Sequence, residues 1–179
     1  MVKGLKQTSQ TVAIGFAFNE TAPNTFTQLS VDLNLSPLDR EVFVVTAINL
    51  DPLEPDALAA TDTATLASLT TTSQTGVANL GESNCLATAK LAIRAAGFVD
   101  GGVGFTRLVE TPAATAQLDY IGIIATNDFF VQISGNQNVA PKGIAGKVYG
   151  YRAVADASIY SALVPVSYTH LTLPTICSV

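Results

Sequence analysis

Few residues in this chain carry the side chains from which catalytic sites are built. There is one histidine, His170, and two cysteines, Cys85 and Cys177, in 179 residues. A serine or cysteine nucleophile usually works with a histidine base. Structural and catalytic zinc are held largely by His and Cys. Cys85 by itself reads as a small buried hydrophobe rather than a reactive thiol. The acidic residues offer more. Asp51, Glu54, Asp56 and Asp62 crowd one loop, and calcium takes several oxygen ligands on such loops. They lack the Asp-x-[Asp/Asn]-x-[Asp/Asn]-Gly pattern of an EF-hand, so a solvated acidic loop is the preferred reading and the four are weak calcium candidates. Asp100 and Asp119 have the chemistry of a general acid or base, but nothing in the sequence pairs either with a second carboxylate.

The glycine-rich segments point away from phosphate binding. Gly101-Gly102-Val103-Gly104 has no Gly-Lys-Ser/Thr ending and runs into Phe-Thr-Arg. Its expected role is a bend, where glycine permits close backbone approach. Gly143-Ile-Ala-Gly146 reads the same way. Asn19-Glu20-Thr21 matches a glycosylation sequon, but no secretion signal accompanies it, so it reads as chance. No enzyme activity and no cofactor are expected.

Composition narrows the class. Charged residues make up 13% of the chain, against about 25% in an average domain. Nine Lys and Arg face fourteen Asp and Glu, for a net charge of −5. That balance argues against a strong nucleic-acid binder; Lys3 and Lys6 suffice for a contact or two with phosphate. Hydrophobic residues make up 48%, which argues against bulk disorder. No run of 18 apolar residues suggests a transmembrane helix, and the first ten residues show no apolar core of a signal peptide.

The elements that would position any site are short and extended. Val12, Ile14, Phe16 and Phe18 alternate with small residues over 11–18, and Leu29, Val31, Leu33 and Leu35 alternate with polar residues over 28–35. The segment 41–50 is β-branched and aromatic, as in a central strand. Residues 51–62 read as an acidic loop, and 63–74 as an exposed edge strand. Residues 83–96 carry both periods: Cys85, Ala87, Ala89, Leu91 and Ile93 alternate, yet Ser83 or Asn84 could cap a helix ended by Gly97. The reading takes a helix there. Strands over 118–126 and 129–134 are expected to form a tight hairpin through Asn127-Asp128. Residues 147–155 form a last strand. This spacing predicts an all-β antiparallel sandwich or barrel with at most one short helix, near 83–96.

Small uncharged side chains where Lys and Glu are usual suit surfaces that become interfaces. The expected partner is therefore a second copy of the chain. The candidate interface elements are the arm (Lys3, Lys6), the 63–74 edge (Thr70, Thr72) and the 136–142 loop (Asn136, Asn138). The second class weighed is a ligand-binding sandwich that stacks sugars on Tyr149, Tyr151 and Tyr160.

Two resemblances follow from particular residues. Val166-Ser-Tyr-Thr-His-Leu-Thr-Leu-Pro-Thr175 resembles the in-frame translation of a sequencing adapter, so 166–179 is set aside as a non-native tail, with His170 and Cys177 in it. On that reading the domain, 11–165, is cut short at its C-terminus, and 1–10 is a flexible arm. The arm, then Phe26–Leu35 leading into Asp39-Arg-Glu-Val-Phe-Val-Val45, then Tyr120–Ser134 and Lys147–Val154, resembles small single jelly-roll viral coat proteins, particularly those of uncultured marine viruses. The resemblance covers about residues 10–164. It implies a jelly roll whose protomers tile a shell, a place in the virion after assembly in the host cytoplasm, and contacts with itself and other virion proteins. It carries no catalytic residues. Many RNA-packaging coats have a strongly basic arm, and this chain does not. That departure implies a genome neutralised by something else, or an outer or minor shell protein.

Overall fold

The computed structural model describes residues 4–95, 105–111 and 119–168. Lys3, Asp100, the 101–104 bend, Leu118 and the tail from 169 onward lie outside them. The described residues form ten strands and one helix: β1 Leu5–Gln7, β2 Val12–Asn19, β3 Thr27–Asp32, β4 Glu41–Pro52, β5 Thr63–Thr70, β6 Cys85–Arg94, β7 Phe105–Thr111, β8 Gly122–Ile124, β9 Asp128–Asn136, β10 Gly143–Ala155 and α1 Ala157–Tyr168.

All pairings among the described strands are antiparallel, and they make two sheets. In the first, β10 is flanked by β4 on one side and by β1 and β2, end to end, on the other; β8 closes the far edge against β4. The second runs β3-β9-β5-β6-β7. From β2 to β5 the chain changes sheet at every strand, and it does so again from β7 to β10. The order β2-β10-β4-β8 against β3-β9-β5-β6 is the wrap of a jelly roll, an all-β architecture of two face-to-face sheets.

Alternation fills the space between the sheets. Phe16, Phe43, Val45, Ile144 and Val148 from the first sheet meet Leu69, Ala87, Phe129, Val131 and Ile133 from the second. The Phe16 and Phe129 rings meet edge-on across the gap, with centroids 6.3 Å apart at 70°. A register shift beside Gly150 lets β4 serve two faces. Before it, Phe43 and Val45 point to the core while Val42 and Val44 join an outer cluster with Leu5, Ala153 and Ala155. After it, Ile48 and Leu50 take the core side. The extra residue, Thr46, hydrogen-bonds the Tyr149 carbonyl at 3.1 Å. Ile159, Tyr160 and Leu163 of α1 cover the outer cluster. Asp156 caps this helix, accepting from the Ile159 amide and the Ser158 hydroxyl, both at 2.8 Å. The Ile159 amide chiefly holds the Asp156 carboxyl below its ordinary range.

Several expectations are corrected. Residues 85–94 form a strand, not a helix. Their small alternate residues, Ala87 and Ala89, lie opposite Leu69 and Ala67 and are buried, so pairing on both sides overrides the helix preference of Ala, Leu and Lys. The one described helix lies at 157–168 and runs three residues into the segment set aside as a tail. The 63–74 segment is no edge: β5 sits between β9 and β6. Asn127-Asp128 does not close a hairpin. β8 belongs to one sheet and β9 to the other, and Asn127 pins the crossing by accepting from the Leu33 amide with its carbonyl and the Leu35 amide with its side chain, both at 2.7 Å. The first residues are not a free arm throughout, because Leu5–Gln7 pairs with Ala153–Ala155 and Leu5 is buried.

Candidate functional site

At one end of the sandwich the β2–β3, β4–β5 and β9–β10 loops are tied together by charged and amide side chains. Glu20, buried, accepts from the Gly135 amide and, at 2.8 Å, from the Lys142 amide. Asn138, also buried, receives the Asp56 amide at 2.9 Å and donates to the Ala64 carbonyl at 2.8 Å. Its backbone exchanges two bonds with the Asn24 side chain. Asp56 accepts from the Val139 and Ala140 amides at 2.8 and 3.0 Å and from the buried Lys142 ammonium at 2.5 Å. Asn24 holds a left-handed backbone, φ 58°, which asparagine tolerates better than most residues.

This cluster has a pH signature. The Lys142 ammonium, then the Ala140 and Val139 amides, bring the Asp56 carboxyl down to about 2 from its ordinary 3.8. A carboxyl depressed on folding stabilises the fold fully above its unfolded value, and that contribution is lost as pH falls from about 4 to about 2. The urea midpoint of the natural chain is therefore expected to fall more steeply over that window than that of Asp56→Asn. Parallel slopes would show that Asp56 carries no such linkage.

A second feature is the uncovered half of the first sheet's outer face. Tyr149 lies between Ala13 and Ala47, Lys147 between Gly15 and Asn49, and Ala145 between Ala17 and Asp51. Apart from the partly covered Ala47 and Tyr149 these residues are exposed, and only Lys147 and Asp51 are charged. β2 ends the sheet beside them with no Lys, Arg or Pro along its length to discourage further pairing.

The second sheet buries a polar cluster at its middle. Gln132 is fully buried on the outer side, with Ser68 donating to its Oε1 at 2.8 Å and its amide donating to Gln28 and Thr70 at 3.0 and 2.7 Å. Gln74, from the β5–β6 loop, donates its backbone amide to Gln28 at 2.8 Å.

The residues singled out from the sequence scatter over these features. Lys6 and Asn136 are exposed. Thr70 and Asn138 are buried in the hydrogen-bond systems just described, so they are not surface contacts; Thr72 is half-buried and accepts from the Asn84 side chain at 2.5 Å. The calcium candidates do not converge. Asp56 is held by Lys142, Asp62 by Arg94 and the Ala95 amide at 2.7 and 2.8 Å, and Asp51 and Glu54 are exposed. Among the described residues no three His, Cys, Asp or Glu side chains are placed to share a metal. Burial raises the Cys85 thiol, and its sulfur lies 3.5 Å from the Ala87 carbonyl. Tyr151 and Tyr160 pack in the cluster between α1 and the sheet, leaving Tyr149 alone on the bare face.

No family model matches the chain, and no curated protein is similar to it.

The loop network was missed because its members read singly. Glu20 looks like part of a sequon, Asp56 like one of an acidic group, and Lys142 like a surface lysine. No spacing rule joins residues separated by most of the chain.

No helix among the described residues is long and apolar enough to cross a membrane.

Proposed function

We propose that this chain is a self-assembling structural subunit of the viral coat type, acting through protein–protein interfaces rather than through chemistry. The observation that carries this reading is the strand order itself, since the jelly-roll wrap recurs in capsid domains as well as in lectins and cupins. The pattern of charge favours the first of these. The bare face of β2, β10 and β4 presents small residues with one cation and one anion, as surfaces destined for burial do. Phenylalanine and aliphatic side chains fill the space between the sheets, which leaves the fold's interior to stability. Two of the three tyrosines that a sugar-stacking module would use, Tyr151 and Tyr160, are packed between α1 and the first sheet, which weakens that alternative.

Negative-stain electron microscopy with light scattering on the full chain, across salt and calcium concentrations, tests the proposal. Closed shells, rings or sheets are the expected outcome. A monodisperse monomer under every condition would overturn it and direct attention to sugar binding at Tyr149.

A further inference from the structure

The β5–β6 loop does not project into solvent. It folds back over the outer face of the second sheet and is fastened there: the Ala78 amide donates to Ser68 at 3.0 Å and the Gln74 amide to Gln28 at 2.8 Å, while the Thr71 amide closes the base of the loop on the Asn84 carbonyl at 2.9 Å. Its tip is a built turn, in which Glu82 accepts from the amide and side chain of Asn79 at 3.1 and 2.9 Å, and Asn79 accepts from the Gly81 amide at 2.8 Å. Between this strap and strands β5 and β6 remains a cavity of about 350 Å³. Leu66, Val77, Leu80 and Ala92 line it, with Lys90 and Arg94 also on its wall. Arg94 is bound to Asp62 at 2.7 Å, whereas Lys90 has no ion pair among the described residues.

An apolar slot beside a lysine that has no ion pair among the described residues matches a molecule that is apolar along its length and anionic at one end. Size selects further. A dry cavity of about 150 Å³ accepts benzene, so one about twice as large suits a chain of about ten carbons. We propose that this cavity binds a single-tailed anionic amphiphile, its alkyl chain against Leu66, Val77 and Ala92 and its headgroup on the Lys90 ammonium. The strap is preformed, so binding orders little new chain. Its strand walls belong to the second sheet, away from the bare face of the first on which assembly is proposed.

Calorimetric titration of the full chain with decanoate, decanol and decyltrimethylammonium, each below its micelle concentration, tests this. Decanoate is expected to saturate one site and to bind more tightly than decanol, with the cationic probe weakest. Lys90→Glu, a substitution on a half-buried side chain, should weaken decanoate about tenfold and leave decanol unchanged. Leu80→Ser, on the exposed rim, should weaken both alike. Absence of saturable decanoate binding to the folded chain, or a Lys90→Glu variant that binds decanoate as the natural chain does, would overturn the proposal.

Discussion

Replacing Glu20 with alanine is expected to destabilise the fold by about 3–6 kcal/mol, since two amides that donate to a charged acceptor lose it, each worth about 1.5–3 kcal/mol. The Gly135 and Lys142 amides have no water to turn to, because Glu20, Gly135 and Lys142 are all buried. That loss would consume much of the about 5–15 kcal/mol by which a domain is usually stable. Glu20→Gln separates geometry from charge. Its side chain keeps one acceptor oxygen but turns an NH2 toward the other amide, so it should recover only part of the loss. Denaturant midpoints for the three chains check this. A midpoint for Glu20→Ala within error of the natural chain would mean that the loop end contributes nothing to stability.

The second large effect concerns a position where a single carbon has no room. A Cβ at Gly150 would stand 2.3 Å from the Val44 carbonyl oxygen and 2.6 Å from the Phe43 ring. The first obstacle is backbone in the middle of the first sheet, so it cannot swing aside. Gly150→Ala is expected to cost about 3 kcal/mol, at the upper end of ordinary overpacking. Gly15 lies in β2, the neighbouring strand of the same sheet, and a Cβ there would meet nothing nearer than the Gly146 carbonyl at 3.9 Å. Gly15→Ala should stabilise by about 0.5–1 kcal/mol, because glycine loses more backbone freedom on folding. Thermal unfolding of both variants is the check, and shifts of the same sign would contradict the packing account.

What the sequence made legible was period and punctuation. The alternation of Leu29 and Val31, and the β-branched run at 41–50, identified strands directly because a half-buried strand has no other way to place its side chains, although β3 ends at Asp32 and the buried Leu33 and Leu35 continue the pattern beyond it. The all-β class followed. Segments rich in alanine defeated the same logic. Ala87 and Ala89 fit equally well on a helix, and only the partners at 67 and 69 decide the matter. Pairing was less legible still. Asn127-Asp128 has the composition of a hairpin turn, yet it carries the chain across the sandwich, since the turn's fate depends on Leu33 and Leu35 waiting to bind it. Candidate surface residues failed for a related reason. Thr70 and Asn138 are polar but buried, each hydrogen-bonded to a residue distant in sequence, and polarity alone could not distinguish them from Asn136.

The strand order also dictates a timetable. Among the described residues β2 pairs only with β10, and β3 only with β9. β4 must wait for β8 and β10, so of the early strands only β5 finds a neighbour, β6, soon after it is made. Loop closure delays distant pairing, and sheets dominated by such contacts fold slowly. On a ribosome, the β5–β6–β7 meander would form first, while β2, with its exposed alanines and no lysine, stays unpaired until the last long strand emerges. β10 then slots between β2 and β4, completing in one step the sheet on whose face assembly is proposed to occur. On that proposal protomers would become competent to associate only at the end of folding, and an unfinished chain would be kept out of a growing assembly.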